Sequence, residues 1–534
     1  MAALKNYRNV TNVNTSLNNR QVQNNTGGYV FEVSDKSRLE RFLILGTDGG
    51  TYYVNEEDLT KQNVSWLEGL IRRDPKLVLG TVLDVSTNGR AYRNSAAIFV
   101  LALMLNAEDK PQGMKEAVVQ AVPLVARTAT HVYELAQYIK NLGGWGRSKR
   151  RAVAAWFTSK TPDQLAYQAV KYRQRDGWTL KDLMRLSHPV GVNPGVGNFI
   201  LGKVDNELWS PEIIHGFHVM QRAGAIPQVL STLDAYPNLP WETIPTAFLK
   251  NAEVWKKLFY NNQLNGQALV RNIVRLQKIG AFEDHFFVVN VAAKVSDPEM
   301  IEKTKLHPMN FLNTSIVYTE GKVARDSFYA YGINREKNWT VNRYIHDALE
   351  AGFYASFKNV EASNKRILVG LDVSGSMSWS SAVGSDLSAA QGGAAMAMIL
   401  AKTEPETLVY GFADTFRDLK INPSMSFSQI LSRTTNMNFG STNMSLPVEF
   451  AKKNSTETET FVVITDNEVN RGNHPSQTLK KYRQSTGIDA RMVVMGMTAT
   501  NFTIADPLDR GMLDVVGFDS NAPKVVSDFS AGRF

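Results

Sequence analysis

Residues 366–378 read Arg-Ile-Leu-Val-Gly-Leu-Asp-Val-Ser-Gly-Ser-Met-Ser, a short apolar run that leads into one carboxylate and three hydroxyls. Similar apolar runs follow along the chain at Thr407–Phe412, Thr460–Thr465 and Arg491–Met495. Runs of this length and composition are typical of strands that are buried on both faces of a parallel sheet. Helical stretches separate them, for example the Ala- and Met-rich Ala389–Leu400. The alternation predicts a doubly wound α/β domain over residues 363–534.

Polar side chains stand where these predicted strands end. Ligands of open α/β sheets gather at that edge, and Asp372, Ser374 and Ser376 follow the first strand there. Thr442 lies in a second loop, and Asp466 follows the third apolar run. These five residues predict a divalent-cation site with oxygen ligands, which suits Mg²⁺ best and Mn²⁺ or Ca²⁺ as alternatives. At least one octahedral position would remain for water or for a partner's carboxylate. The alternative is an Asp-Ser loop that only caps a helix.

The pattern between about residue 27 and residue 362 is helical. Ile98, Leu101, Ala102 and Leu105 follow the spacing i, i+3, i+4, i+7 that marks one face of an amphipathic helix, and the same spacing recurs further along. More than 300 residues of helices have no single core to share, so the sequence predicts stacked helical hairpins, an α-solenoid. Residues 1–26 are rich in Asn, Gln, Thr and Val without periodicity, and we expect a loose, flexible leader there.

Composition excludes several classes of protein. The chain has 534 residues and no cysteine, which removes disulfide frameworks, thiol nucleophiles and Cys-ligated zinc. No apolar stretch is long enough to cross a bilayer, and the first residues lack the apolar run of a secretory signal. We therefore expect a cytoplasmic protein with no membrane contact.

The positive charge is concentrated in one stretch. The formal net charge is +8, and residues 145–185 contain ten basic and three acidic residues, a local net charge of +7. The cations there alternate with Trp and Tyr, and His188 follows shortly after. Such a surface can neutralise phosphates and stack unpaired bases. A solvated helix face with internal ion pairs is the alternative. For His188, which precedes a proline, the alternative is a structural role at a helix end.

Two resemblances add to these patterns. Asp372-x-Ser-x-Ser376 with Thr442 and Asp466 resembles the metal-ion-dependent adhesion site of von Willebrand factor A domains, which implies a ligand role for each of these side chains. Several segments are similar to the signature segments of the Ro autoantigen family, also called the TROVE family, and look closest to a bacterial member. They are residues 27–31, 41–52, 143–156, 171–189, 307–308 and 347–349.

The second resemblance implies a fold and a function. The fold is a closed ring of HEAT-like helical repeats, residues 27–362, whose ends the A-type domain joins. The function is non-enzymatic binding of small noncoding Y RNAs on the outer basic surface, and of single-stranded 3′ ends of misfolded or precursor RNAs, ribosomal RNA precursors included, in the ring's hole. The protein, monomeric in isolation, would act in RNA quality control and stress-linked decay. It would hand RNA to a 3′ exoribonuclease such as polynucleotide phosphorylase.

By the same resemblance, a set of basic side chains is expected to contact RNA. Leu180 is apolar where many relatives are expected to carry a polar residue, so the resemblance does not fix RNA selectivity. The expected contacts are Lys171, Arg175, Arg185 and His188 first, Arg147, Lys149 and Arg150 next, and then Arg173 and Lys181.

Two other functions stay open. A metal-dependent nuclease would need clustered carboxylates to hold two ions about 4 Å apart, whereas the predicted site has only two acids, and the chain lacks a Walker A loop and a G-x-S-x-G elbow. A protein-adhesion module is compatible with the open coordination position, which a partner's Asp or Glu could fill. His215 and His218 have the spacing of metal ligands but no third ligand nearby in the sequence.

Overall fold

The computed structural model describes residues 11–46, 56–91, 93–107, 113–203, 209–320, 339–357, 361–380, 388–422, 424–434 and 440–533. Helices dominate the first two thirds of the chain. They are α1 Asp35–Leu45, α2 Glu56–Arg73, α3 Pro75–Thr87, α4 Ser95–Asn106, α5 Met114–Val125, α6 Ala129–Asn141, α7 Arg147–Thr158, α8 Pro162–Lys171, α9 Leu180–Ser187, α10 Pro194–Leu201, α11 Glu212–Gln221, α12 Ile226–Ala235, α13 Ala252–Tyr260, α14 Gly266–Lys278, α15 His285–Val295, α16 Pro298–Thr304, α17 Pro308–Glu320 and α18 Arg343–Ala355.

These helices stack as the apolar periodicity predicts. Along the first part of the module, several helices pack against the helix two positions further on: α1 against α3, α3 against α5, α4 against α6, α5 against α7, and α7 against α9. Consecutive antiparallel helices thereby form two layers with a continuous core, which is the packing of a helical-repeat solenoid. The predicted α-solenoid of HEAT-like repeats is confirmed.

The helical module closes on itself. Lys305, which precedes α17, donates its Nζ hydrogen bond to the backbone oxygen of Thr87 at the end of α3. The buried His307 imidazole lies 3.3 Å from the backbone oxygen of Arg90, and its ring packs, tilted, against the ring of Phe518 in the α/β domain, with 6.3 Å between the centroids. Residues more than 200 positions apart thus meet, and the ring-like arrangement that the resemblance implied is confirmed.

The C-terminal unit is a doubly wound α/β domain. Its sheet has the strand order β5-β4-β3-β6-β7-β9, parallel except for the edge strand β5. Its strands are β3 Ile367–Asp372, β4 Thr407–Phe412, β5 Phe416–Asp418, β6 Thr460–Thr465, β7 Arg491–Gly496 and β9 Met512–Val516. Its helices are α19 Gly375–Trp379, α20 Ala389–Thr403, α21 Phe427–Thr434, α22 Leu446–Lys453, α23 Pro475–Thr486 and α24 Ala522–Ala531. All four predicted strands are present, so the predicted fold class is confirmed.

The two faces of this sheet bury different cores because side chains alternate along each strand. In β6, Val462 and Ile464 join the large core that continues into the helical module. Phe461 and Val463 point to the opposite face and join a second, smaller core.

The expectation of a loose leader over residues 1–26 is corrected for residues 11–26, while residues 1–10 lie outside the described residues. β1 (Gln21–Gln23) pairs antiparallel with β2 (Tyr29–Glu32), which pairs with β8 (Phe502–Thr503) of the α/β domain. Val13 and Val30 are buried in the second core. Short apolar residues that reach a distant core, together with asparagine side chains that bond to backbone, order a segment without periodicity.

A buried ion pair joins the first helix to the sheet. Arg41 of α1 is completely buried, donates to the backbone oxygens of Thr500 and Phe502, and lies 2.5 Å from a carboxylate oxygen of Asp514 in β9. Burial raises the pKa of Asp514, an effect that the Arg41 charge opposes. Among the described residues, no helix is both long and apolar enough to span a membrane.

Candidate cation site and nucleic-acid interface

The candidate cation site forms where β3 and β6 end side by side. The two strands are parallel neighbours, with Leu371 opposite Ile464. This register brings Thr465 level with Asp372, and its hydroxyl donates to Asp372 Oδ2 at 2.7 Å. Asp372 Oδ1 accepts from the backbone N–H of Ser374 at 3.0 Å, and Ser374 is the N-cap of α19. The turn from strand to helix therefore fixes the first carboxylate.

The remaining predicted ligands gather around it. The hydroxyls of Ser374 and Ser376 lie 3.0 Å apart, and the Ser376 hydroxyl bonds to the Asp466 carboxylate. Thr442 lies in the loop before α22, and its backbone N–H donates to Asn470 Oδ1 at 2.9 Å. Asn470 belongs to the loop that begins with Asp466, so one loop supplies a carboxylate and holds the threonine in place. The structure thus brings all five predicted residues to one edge of the sheet.

This site is buried, and no cation of the described residues pairs with Asp372 or Asp466. Each of the five predicted ligands is at most 4% exposed. Asp466 Oδ2 has no hydrogen-bond partner among the described residues. Burial and the nearby Asp466 charge raise the pKa of Asp372 to about 7, and burial raises the pKa of Asp466 to about 6. Two buried carboxylates beside hydroxyl oxygens fit a hard divalent cation, which would supply the missing positive charge.

The described residues contain no cluster of three His, Asp or Glu side chains arranged to hold a metal ion. A cation at the Asp372 site would therefore depend on hydroxyl ligands for much of its protein shell. The same finding bears on His215 and His218, which are joined by no third ligand in the described part of the chain.

The N-terminal segment, residues 11–32, holds the loop that carries Asp466. Asn24 is buried, and its Nδ2 donates to the backbone oxygens of Asn467 at 3.3 Å and Val469 at 2.8 Å. Asn25 Nδ2 donates to Glu468 Oε1 at 2.5 Å. Burial, and then the charge of Asp466, raise the pKa of Glu468 to about 8. The sequence analysis did not predict that the N-terminal segment holds the Asp466 loop. The asparagines at positions 24 and 25 were the only sign of it in the sequence.

A cationic surface is formed by α7 and α9, which pack against each other. Arg147 and Arg150 are exposed on α7. Lys181, Arg185 and His188 follow the spacing i, i+4, i+7 and share one face of α9, where Arg185 and His188 are exposed and Lys181 half-buried. Among the described residues, none of these five side chains forms an ion pair with a carboxylate. We call this set the α7–α9 surface.

Local capping fixes the orientation of α9. Thr179 accepts from the N–H of Asp182, and the Asp182 carboxylate accepts in return from the N–H and hydroxyl of Thr179. At the other end, His188 is the C-cap, with the left-handed φ of 46°. The indole rings of Trp145 and Trp178 meet edge to face at 5.8 Å, which joins the loops that precede α7 and α9.

Three predicted RNA contacts are already engaged inside the protein. Lys149 is corrected from a surface residue to a buried one, because its Nζ donates to Asn106 Oδ1 at 2.8 Å and to the backbone oxygen of Gly144 at 2.7 Å. Lys171 is half-buried against two tyrosine rings and lies 3.8 Å from a carboxylate of Glu242. Arg175 is about half exposed and pairs with Glu134 at 2.9 Å.

A groove beside this surface was missed by sequence reasoning. It has a volume of about 830 Å³ and lies among α8, α9, α10 and α11. Arg173 and Lys181 were predicted RNA contacts, whereas Lys203, His215, His218 and Arg222, which also line the groove, were not. Their spacing on α11 places His215, His218 and Arg222 on one helical face, but only the fold shows that this face meets α9.

A ring of helical repeats closed by an A-type domain defines a known class of two-part proteins, and comparison with known proteins agrees. The model of the TROVE domain matches residues 22–201 and 237–329, and that of the Ro60 vWA domain matches residues 366–530. The chain belongs to the Ro60 family of TROVE-domain proteins.

Its relatives match along nearly the whole chain. The Deinococcus radiodurans protein named RNA-binding protein RO60 is 37% identical over 97% of this chain and 96% of its own length. The Caenorhabditis elegans protein of the same name is 31% identical over 96% of this chain and 90% of its own length. The crystal structure of the Deinococcus radiodurans RO (RSR) protein matches with a TM-score of 0.67 and 35% identity, covering 94% of this chain and all of that one.

Proposed function

We propose that this protein binds RNA through the α7–α9 surface and acts as a non-enzymatic scaffold. The observation that carries the proposal is the set of exposed cations on two neighbouring helices, Arg147, Arg150 and Arg185 among them, that no carboxylate in the described part of the chain neutralises. Cations without internal partners are available to phosphates. The names of the two relatives, both RNA-binding proteins, support the same reading.

The proposed ligands are small structured RNAs of the Y RNA class on the outer surface. Single-stranded 3′ ends of misfolded RNAs and of precursor RNAs, ribosomal precursors included, would enter the hole of the ring. The protein would then present these ends to a 3′ exoribonuclease such as polynucleotide phosphorylase. Support comes from the family and from a helical ring whose closure is built into the fold. The cytoplasmic location and the monomeric state expected from the sequence remain predictions.

The test is a titration of a Y-type RNA hairpin at several salt concentrations. Each phosphate contact contributes about 0.9 to the slope of log affinity against log salt for a duplex. We expect Arg185→Ala/His188→Ala and Arg147→Ala/Arg150→Ala each to weaken binding and to lower that slope by about one to two. Lys524→Ala/Arg533→Ala is the matched control, because it removes two exposed cations from the α/β domain. Equal affinities and slopes for all variants would contradict the assignment of this surface.

We also propose that Asp372, Ser374, Ser376, Thr442 and Asp466 hold a divalent cation, Mg²⁺ first and Mn²⁺ or Ca²⁺ as alternatives. The buried Asp466 Oδ2, which has no hydrogen-bond partner among the described residues, supports this proposal. An open coordination position would let a carboxylate of a protein partner bind, so adhesion and RNA binding are compatible. Retention of protein partners with and without EDTA tests this: partners that stay bound after chelation do not use the cation.

A metal-dependent nuclease is the less favoured function, because two carboxylates with hydroxyls supply little of the charge that two-metal chemistry needs. Incubating the protein with labelled single-stranded RNA and Mn²⁺ distinguishes a nuclease from a non-enzymatic scaffold. Cleavage by the wild type but not by Asp372→Ala would establish the nuclease.

A further inference from the structure

The groove of about 830 Å³ among α8, α9, α10 and α11 has the size of a ligand pocket. Lys181 reaches into it from α9, and Lys203 follows the end of α10. Lys181 Nζ lies close to Gly202, the residue before Lys203, because a Cβ at Gly202 would lie only 3.7 Å from it. His218 and Arg222 approach from α11 on the opposite side.

The charges of this groove are unbalanced within the described protein. Arg173, Lys181, Lys203 and Arg222 line it, and no carboxylate of the described residues pairs with any of them. Lys171 and Arg175, which flank the groove in sequence, both have acidic partners. The groove and the adjacent α7–α9 surface therefore carry positive charge that no carboxylate of the described residues neutralises.

Aromatic rings form the apolar part of the groove. Phe199 contacts Phe217 at 5.8 Å and His218 at 5.7 Å, and these last two rings lie 5.6 Å apart. The Arg173 guanidinium lies over the Phe217 ring at 5.2 Å. Burial, Arg222 and His215 all lower the pKa of His218, so its ring is neutral at physiological pH and free to stack.

From this combination we infer that the groove binds an unpaired nucleotide of RNA. Lys181, Lys203 and Arg222 would contact its phosphate, and its base would stack on the cluster of Phe199 and His218. Aromatic stacking beside a cationic backbone track is how proteins hold single strands without sequence preference. A base inside a duplex could not use this site, because the neighbouring base pairs cover both of its faces. The inference rests on the proposed RNA-binding function and adds that the protein distinguishes paired from unpaired RNA here.

The experiment compares a blunt RNA duplex with the same duplex extended by a short oligouridine strand. We expect wild type to prefer the extended duplex. Lys203→Ala/Arg222→Ala and His218→Ala should each weaken binding of the extended duplex about tenfold, as loss of one stacked base or its phosphate contact predicts, and leave the blunt duplex unchanged. Oligouridine that carries 5-iodouridine should crosslink to a peptide spanning residues 199–222 of wild type.

The outcomes separate the two proposals. Equal losses for both duplexes would show that the groove is only part of a general cationic surface, and overturn the inference. The inference is also overturned if the groove variants bind both duplexes like wild type while Arg185→Ala/His188→Ala binds more weakly. In that case the proposed RNA-binding function still stands. If wild type binds neither duplex, both proposals fail. Far-ultraviolet circular dichroism melts of the groove variants show that any loss is not unfolding.

Discussion

Replacing Asp372 by asparagine tests the cation site most directly, because it removes one of two buried negative charges at nearly constant volume. The hydrogen bonds can be kept. The asparagine oxygen can accept from the N–H of Ser374, and its Nδ2 can donate to the Thr465 hydroxyl, which now donates to Asp372 Oδ2. The change is therefore one of charge and metal affinity, with little change in packing.

The magnitude follows from the pKa of Asp372, which burial and the Asp466 charge raise to about 7. An exposed Asp titrates about three pH units lower, and at about 1.4 kcal/mol per unit this amounts to about 4 kcal/mol. The folded carboxyl holds its proton to higher pH than the unfolded one. The contribution of Asp372 to the free energy of unfolding of the cation-free protein therefore falls as pH rises from about 4 to about 7, and stays level above that.

Without cation at pH 8, Asp372→Asn should thus be more stable than wild type, by up to about 4 kcal/mol, and the difference should vanish near pH 4. With Mg²⁺ at about 100 times its dissociation constant, wild type should gain about 2.7 kcal/mol and the variant almost none. Urea titration with pulsed hydrogen exchange of the peptides from β3 and β6 measures both effects in the domain concerned.

Asp489→Asn is the matched control, because it makes the same substitution at an exposed position of the same domain. It should follow wild type in both conditions. A cation-free Asp372→Asn that is less stable than wild type at pH 8, or a variant that gains as much stability from Mg²⁺ as wild type does, would refute the cation site.

Three further predictions concern other parts of the structure. Arg41→Met leaves Asp514 buried without its partner and should lower the free energy of unfolding by about 3–5 kcal/mol in urea titration, a loss that Arg41→Met/Asp514→Leu should largely recover. Asn24→Ala leaves the backbone N–H groups of Thr26 and Gly28 without the Asn24 oxygen that accepts from them. It should therefore cost about 1–3 kcal/mol and weaken Mn²⁺ binding measured by electron paramagnetic resonance while RNA affinity is unchanged. Lys149→Ala should lower the melting temperature without changing the salt slope of RNA binding, whereas Arg150→Ala should reduce that slope by about 0.9 at constant melting temperature.

Local patterns were sufficient to predict the fold class and the candidate cation site. The predicted strands at Thr407–Phe412 and Thr460–Thr465 coincide with β4 and β6. β6 is buried along its whole length, as its apolar run predicts, whereas β4 exposes Leu408 beside the edge strand. The Asp-x-Ser-x-Ser loop lies next to Asp466 because β3 and β6, the strands that these residues follow, are parallel neighbours and end at the same edge of the sheet.

Contacts between distant parts of the chain could not be predicted in this way. Asn24 bonds to the backbone of Val469, 445 residues away, and nothing in the composition of the N-terminal segment indicates that partner. Lys149 stands among exposed cations in the sequence, yet the bend before α7 turns its ammonium onto Asn106. Counting charges in the sequence shows how much positive charge a stretch carries. It does not show which cations remain unpaired, because acids from distant parts of the chain, such as Glu134 and Glu242, pair with some of them.

The distinction between engaged and free cations leads to one further prediction, on salt. Arg90 joins the ring to the α/β domain through Asp519 at 2.6 Å and also contacts Glu40 and Asp84, and its side chain is only 13% exposed. Salt screens such pairs far less than exposed charges. The α7–α9 surface has four cations, Arg147, Arg150, Lys181 and Arg185, so about four phosphate contacts would give a slope of about −3.6 and a loss of about 150-fold in RNA affinity between 50 and 200 mM salt.

RNA should therefore leave the protein over a range of salt in which the ring stays closed. Fluorescence anisotropy of a labelled RNA hairpin and small-angle X-ray scattering of the free protein, measured over the same salt series, provide the two readouts. The radius of gyration should stay constant while the affinity falls. Arg90→Met, which opens the junction at its most charged point, should enlarge the radius at every salt concentration and leave the slope of RNA binding unchanged. An expansion of the wild-type protein that runs parallel to RNA release would mean that exposed charges, rather than the buried pairs of Arg90, keep the ring closed.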